Sequence, residues 1–534
     1  MNVDRRTALK RVAGTAGALA GVPFWAVARS ANRPVLSVEA FRRKGEGPDW
    51  MAAFQRASNR LHELGGGSLR LAQAHYYLGR YRGIDVGGKI LSKPLADDVI
   101  SATWVIPSNV KIIGDSLTQI DLGGGSSEAL GFKGTYNVLS APLDQEESRD
   151  VVVLSLNPVL VRVKSTEQLR VGQTVRLARE AQSPGGTPSN EDAPNQFFTI
   201  RSISGNNIEF AEPSIHRFDA AQDLVLRFLP ISIDYPRDIF LENLSFTTSG
   251  SLAYVLHSRT INSGWKNVTM GKKVNASWGT CQQVRADGVE INSDLRAQNA
   301  LSIESTSNVE WGSLILNGNG SNNAVGGLFV DDHSRAIRFR KIIAKDFARG
   351  GTTFMYGVDA IIDELTLTNC ATLTDPRKGF NAALSVGFPA DGAGPTASPA
   401  SPVDPRYLVR NSGTTSVRVR ELKIVGPARV PIRSHDATLT IDQAYIEFSN
   451  TLGGAPIVVG ESGITRADPQ YFPRGARGDV RLGHVRVKTV SGVASATYAI
   501  NRNGSIFQQG TGRVSASEFT IDGNRLMLRI GDKE

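Results

Sequence analysis

Cysteine is nearly absent from this chain: two residues in 534. That excludes a disulfide scaffold and any cysteine-rich zinc or iron–sulfur site. Charge of one sign is also scarce. Lys and Arg number 60 and Asp and Glu 51, a formal +9, too small an excess for a nucleic-acid partner to be expected. Beyond residue 31, no run approaches the roughly 20 apolar residues of a membrane span. No window keeps a 3.6-residue hydrophobic period, which argues against a helical solenoid. What is present is an apolar content of 40% and 54 glycines, the composition of a folded chain with many turns between short strands.

The first residues read as an address. Arg5 and Arg6 precede Leu9, Lys10 and Arg11, and an uncharged run follows from Val12 to Ala28. This resembles a twin-arginine export signal, with Ala8 where such signals usually carry Phe and Ala26-Val27-Ala28 as a small-x-small cleavage site. Gly14, Gly17, Gly21 and Pro23 make the run a poor spanning helix. The expectation is that residues 1–31 are removed and that the mature protein is periplasmic or secreted, with no stable membrane insertion. Its net charge then falls to about +5, because residues 1–31 carry five basic groups against Asp4.

From residue 239 onward one pattern recurs: apolar, x, apolar, x, x, apolar, x, apolar. Copies start at 239, 263, 284, 309, 337, 360, 417, 439, 480 and 514, with the copy at Ser263 the weakest. Alternation within each half is the period-2 signature of a strand with one buried face, and the two-residue break is a corner. A third apolar stretch precedes the next copy, as in Leu301–Ile303, Leu328–Val330, Leu384–Val386, Ile457–Val459 and Leu526–Leu528. Three strands per coil, repeated about every 24 residues, describe a parallel β-helix. The interval from 360 to 417 reads as two coils plus a Pro/Gly/Ser-rich loop at 389–405, and a second loop is expected at 467–478. Cys281 and Cys370 fall about four coils apart, roughly 19 Å at strand spacing. That is beyond disulfide reach, so both are expected as free, buried thiols.

Near the start, Phe41-Arg-Arg-Lys44-Gly45-Glu-Gly47-Pro-Asp49 leads into Ala53-Phe54-Gln55-Arg-Ala57, then Gly65-Gly66-Gly67. This resembles the N-terminal module of the pectate-lyase-like superfamily, although Trp50 replaces its second Asp and Gln73-Ala74-His75 its Pro-x-Gly. Ala52, Phe54, Ala57, Leu61 and Leu64 would share one helical face able to plug a solenoid end. The expected fold is all-β: a single-stranded right-handed parallel β-helix with an N-terminal capping helix and an inserted small β subdomain. Its expected parts are the cap and first coils at 35–149, the insert at 150–231 and the main coils at 232–534.

The resemblance implies that carbohydrate binds along one strand-lined face and its rims, so a polysaccharide substrate is expected. The third stretch of each coil is the candidate floor. Counting back five from the starts at 309 and 337 places Glu304 and Asp332 on adjacent coils, with Asp331 one residue from the same offset. Carboxylates about 4.8 Å apart repel and form an acid/base pair, at a spacing suited to a retaining glycosidase. His333 adds a group titrating near neutrality. The polygalacturonase signatures do not occur in order, so that branch's mechanism is not carried over. The favoured expectation is an exported enzyme cleaving an acidic polysaccharide by β-elimination, which needs cations and a base. Arg349 is the candidate base. Arg296, Arg377, Lys378, Arg433 and His435 are candidate substrate-binding groups, with Trp278 and Tyr356 as stacking platforms. Trp265 and Trp311 occupy apolar slots and are expected in the core. The alternatives are a glycoside hydrolase using Glu304 and Asp332, a noncatalytic glycan-binding β-helix, or a C5-epimerase. No cofactor is required; acidic groups could bind calcium, but no ligand spacing shows it. Oligomeric state is left open.

Overall fold

The structure, a computed structural model, describes residues 33–78, 85–86, 89–90, 104, 106–123, 136–138, 146–179, 194–216, 218, 224–230, 234–249, 253–294, 299–320, 326–355, 357–372, 382–387, 415–426, 428, 430–435, 437–448, 457–460, 479–489 and 513–526. The expected export signal and both expected loops lie outside them.

Among the described residues, coils between 110 and 460 each contribute one long and one short strand. The long strands stack in parallel into one sheet from Val35–Ser37 to Arg513–Ile521. Within it the ten repeat starts form one unbroken ladder, Ile239, Ser263, Val284, Val309, Ile337, Ala360, Val417, Leu439, Val480 and Val514. The short strands, the third stretches of the sequence pattern, form a nine-stranded sheet. Parallel neighbours joined by such crossovers wind right-handed, giving a right-handed parallel β-helix. The corner inside the long strand is set by left-handed residues at the second break position of the first three copies: Asn243, Asn267 and Gly288, with φ of 57°, 50° and 63°. Asn is tolerated there for its local hydrogen bonding, and the Asn267 amide donates to Asn243 Oδ1 at 3.0 Å.

Two sequence expectations are corrected. Ala360 pairs directly with Val417, so the interval between them is one coil, whose short strand is Leu384–Gly387. Strand spacing fixes register and leaves connection length free, which is why a long insertion looks like an extra coil. The stretch at Leu526 belongs to strand Asn524–Leu526, which pairs antiparallel with Phe519–Ile521 as a hairpin and adds no coil.

The helix Met51–Glu63 packs Met51, Ala53, Phe54, Ala57 and Leu61 into the core, while Ala52 is half-buried and Leu64 lies beyond the helix, exposed. Asp49 Oδ1 accepts from the Met51 N–H, the first of the helix. Phe54 meets Trp104 edge-on at 4.8 Å, and Trp104 Nε1 donates to Ser58 Oγ at 3.0 Å.

Aromatic side chains fill the middle coils. Trp265 and Trp311 sit two coils apart on the long sheet with Ala286 between them. Trp278, from the short sheet, enters the space the small residue leaves, 3.9 Å from Trp265 and 5.1 Å from Trp311 between ring centroids. Alternating large and small residues across facing positions is how such a core reaches close packing. Cys281 and Cys370 are free and buried.

Six strands between Glu147 and Phe228 leave the coils to build a closed barrel, with Val161, Leu177, Phe198, Phe210 and Phe228 in its own core.

Candidate active site

Strands Asn299–Glu304 and Gly326–Asp331 lie side by side in the short sheet. Leu301, Ile303, Leu328 and Val330 point inward and are fully buried. Alternation therefore turns Ser302, Glu304, Phe329 and Asp331 outward. Glu304 pairs in register with Asp331, so these two carboxyls are opposite one another, about 4.8 Å apart at strand spacing. Counting back placed Asp332 there; the Asp331–Ser334 corner holds one more residue than the Glu304–Thr306 corner, which shifts the offset. Asp332 and His333 form that corner with left-handed φ of 49° and 58°.

The corner is pinned from inside. Three residues before the repeat starts at 263, 284, 309 and 337 stands a small buried side chain: Thr260, Cys281, Thr306 and Ser334. Thr260 Oγ1 and Cys281 Sγ are 3.0 Å apart, the Cys281 N–H donates to Thr306 Oγ1 at 3.2 Å, and the Thr306 N–H donates to Ser334 Oγ at 3.0 Å. This ladder runs beneath the strand ends that carry the carboxyls.

The electrostatics follow from crowding. Glu304 is half-buried and Asp331 is 6% exposed. Burial, and then the negative charge of Asp332, pushes Glu304 up to about 8. Asp331 is driven well above the usual carboxylate range by burial, then by Asp332 and Glu304. Its Oδ1 is buried without a hydrogen-bond partner among the described residues. The arrangement offers proton-bearing carboxyls at neutral pH beside the carboxylate of Asp332, which is the environment-driven split an acid/base site needs.

The other candidates sort by place. His333 is 7% exposed, with its ring against Gly357, where an added Cβ would sit 2.5 Å from Nδ1. Arg433 and His435 lie in strand Ile432–His435 of the same sheet, three strands from Asp331, or about 14 Å by strand spacing. Arg349 precedes strand Thr352–Phe354 and adjoins Gly350, whose carbonyl accepts from the Gly327 N–H. Its backbone is thus at the opposite edge of the sheet from the carboxyls, since a six-residue strand spans about 17 Å. Trp278 is no platform: it is fully buried, pairing with His257 and Ile303 on the inward side. The Asn275–Gly279 segment looked like a turn because Asn, Ser and Gly fill its outward slots. Arg296, Tyr356, Arg377 and Lys378 lie outside the described residues. Among the described residues, no group of three or more His, Cys, Asp or Glu could hold a metal ion.

Sequence reasoning missed the barrel's part in this site. The Asn195 amide donates to Ser305 O at 3.1 Å, and the Phe197 N–H donates to Gln282 Oε1 at 2.8 Å. His216 is buried near His333 and Arg335; burial first, then those two charges, holds its imidazole well below the usual range. Glu146 is clasped by Arg176 at 2.8 Å, Arg259 at 3.3 Å and the Tyr235 hydroxyl at 2.6 Å. Burial would raise Glu146, but the charges of Arg176 and Arg259 and those hydrogen bonds win and hold it at about 2. A signal existed. The insert stands just before the repeat start at 239, the slot that Glu304 and Asp331 occupy before 309 and 337, so it leaves the coil at the corner that bears the carboxyls.

No protein-family model matches the chain, and no curated protein sequence matches it. Among solved structures it is similar to the tailspike gp61 of Pseudomonas phage phi297, with a TM-score of 0.47 and 10% identity over 91% of this chain and 84% of that one. It is also similar to an exopolygalacturonase of Thermotoga maritima, with a TM-score of 0.40 and 9% identity over 92% and 93%. The surface adhesin PfbA of Streptococcus pneumoniae gives 0.40 and 10% over 91% and 89%. Likeness this distant says nothing of this chain's chemistry.

Proposed function

We propose that the protein is an exported glycoside hydrolase acting on a polysaccharide laid across the short sheet. Glu304 acts as general acid and Asp332 as its carboxylate partner. The observation that carries this reading is the crowding of Glu304, Asp331 and Asp332 at one outward corner, where burial and mutual repulsion keep protons on the first two. A proton held at neutral pH on a partly exposed carboxyl is what a glycosidic leaving oxygen requires. The double-displacement route needs a carboxylate beside the acid, and Asp332, whose charge bears on Glu304, is placed in that role. Asp332 attacks the anomeric carbon as Glu304 protonates the leaving oxygen; water then releases the sugar, with Glu304 taking its proton. Asp331 keeps the site crowded and raises the acid.

β-elimination is the weaker reading. It needs cations against the substrate carboxylate and a base beside the reacting carbon. Of the described groups singled out from the sequence, His333 stands at the corner but is buried, Arg349 starts from the far end of the sheet and Arg433 stands three strands away. Incubation with a panel of acidic and neutral glycans separates the chemistries. Hydrolysis is expected to yield new reducing ends without the ultraviolet absorbance of unsaturated ends; unsaturated ends, or binding with no product from any glycan, would overturn it.

A further inference from the structure

The barrel meets the coils at three successive corners through buried or nearly buried polar groups. Arg259 joins Glu146, Gln282 receives the Phe197 N–H, and Ser305 receives the Asn195 amide. Asn195 and Ser305 are each 3% exposed. Ser305 directly follows Glu304, is held at a left-handed φ of 49°, and donates its N–H to Asp331 O at 3.3 Å. Ser305 is therefore tied through its N–H to the neighbouring coil and through its carbonyl to the barrel. In a strand the side-chain direction is fixed by the backbone, so a change in the backbone at Ser305 swings the Glu304 carboxyl beside it. A left-handed non-glycine residue stays put only while its surroundings hold it. Behind Asn195 stands His216. Phe218 packs against its ring at 5.7 Å between centroids.

We propose that the inserted barrel is a clamp on the carboxyl pair, with Asn195 as a positioning residue for Glu304. This deepens the hydrolytic reading and rests on it for its effect on rate, while the clamp itself can be read without substrate. The test compares Asn195→Ala with Gln282→Ala, which removes the neighbouring barrel contact and leaves the carboxyl corner untouched. Three quantities are measured on the full chain: thermal midpoint, kcat and KM for reducing-end release, and the infrared titration of the protonated-carboxyl band that Glu304→Gln removes. Both variants are expected to lower the thermal midpoint similarly. Asn195→Ala alone is expected to lower kcat about 10²-fold with KM unchanged, and to move the carboxyl band to lower pH as water reaches the loosened corner. The clamp is overturned if the two variants match in kcat and in the carboxyl band. Should the wild type release no reducing ends, the hydrolytic reading falls and the band alone decides the clamp: a shift in Asn195→Ala supports it, and an unmoved band overturns it. If Asn195→Ala does not fold, Asn195→Leu, which keeps the bulk and removes the donated N–H, is measured in the same way, with the same two outcomes.

Discussion

At the residue scale, Glu304 carries most of the chemistry and offers two separable tests. Replacing it with Gln keeps its shape and removes the transferable proton, so kcat is expected to fall about 10²- to 10⁴-fold. Stability should respond in the opposite sense at high pH. The folded Glu304 titrates at about 8, above its ordinary 4.5. The stability it contributes is thus full below pH 4.5 and is lost as pH rises through about 8. Thermal unfolding of wild type and Glu304→Gln across that window is expected to show the variant gaining on the wild type as pH rises. Parallel curves would mean that the carboxyl is not held protonated. Neutralising Asp332 with Asn should lower the Glu304 titration, since its charge is the second cause of the rise.

At the scale of elements, corners matter more than strands, because inward slots tolerate many apolar residues and corners do not. Gly357 has a φ of 77° and lies against the His333 ring, so a methyl group would clash with Nδ1. Gly357→Ala is expected to cost about 1–3 kcal/mol in denaturant unfolding, with a larger loss of activity than of stability as the Asp331–Ser334 corner shifts. The Glu146 cluster works at the barrel's root. Glu146 titrates near 2, below its ordinary value, so its contribution is present above pH 4.5 and is lost as pH falls through about 2. Glu146→Gln leaves Arg176 buried beside a weakened partner. It should lower stability at neutral pH by about 3–5 kcal/mol and flatten the acid limb of the wild-type stability profile. Chemical denaturation at several pH values reads both effects.

At the scale of the whole molecule, the solenoid was legible because coil pairing demands a constant inward phase. Val309, Ile337 and Ala360 advertise their register, and even Ser263, a poor hydrophobe, keeps its place in the ladder. Coil count was not legible across the 360–417 interval, since a loop of any length can join two paired strands. Trp278 was misjudged because its neighbours Asn275, Ser277 and Gly279 are outward residues, and only the gap above Ala286 explains a tryptophan beneath them. The carboxyl pair was found to within one residue, the error being a corner that holds an extra residue. The barrel's approach to Ser305 required docking geometry, which no local pattern encodes, although its slot in the coil pointed to the right corner. The most direct measurement is reducing-end release from the responsive glycan by wild type, Glu304→Gln and Asp332→Asn, with folding confirmed by circular dichroism. Loss of nearly all release in both folded variants is expected; undiminished release by either one would contradict the assignment of Glu304 and Asp332 as the reacting pair.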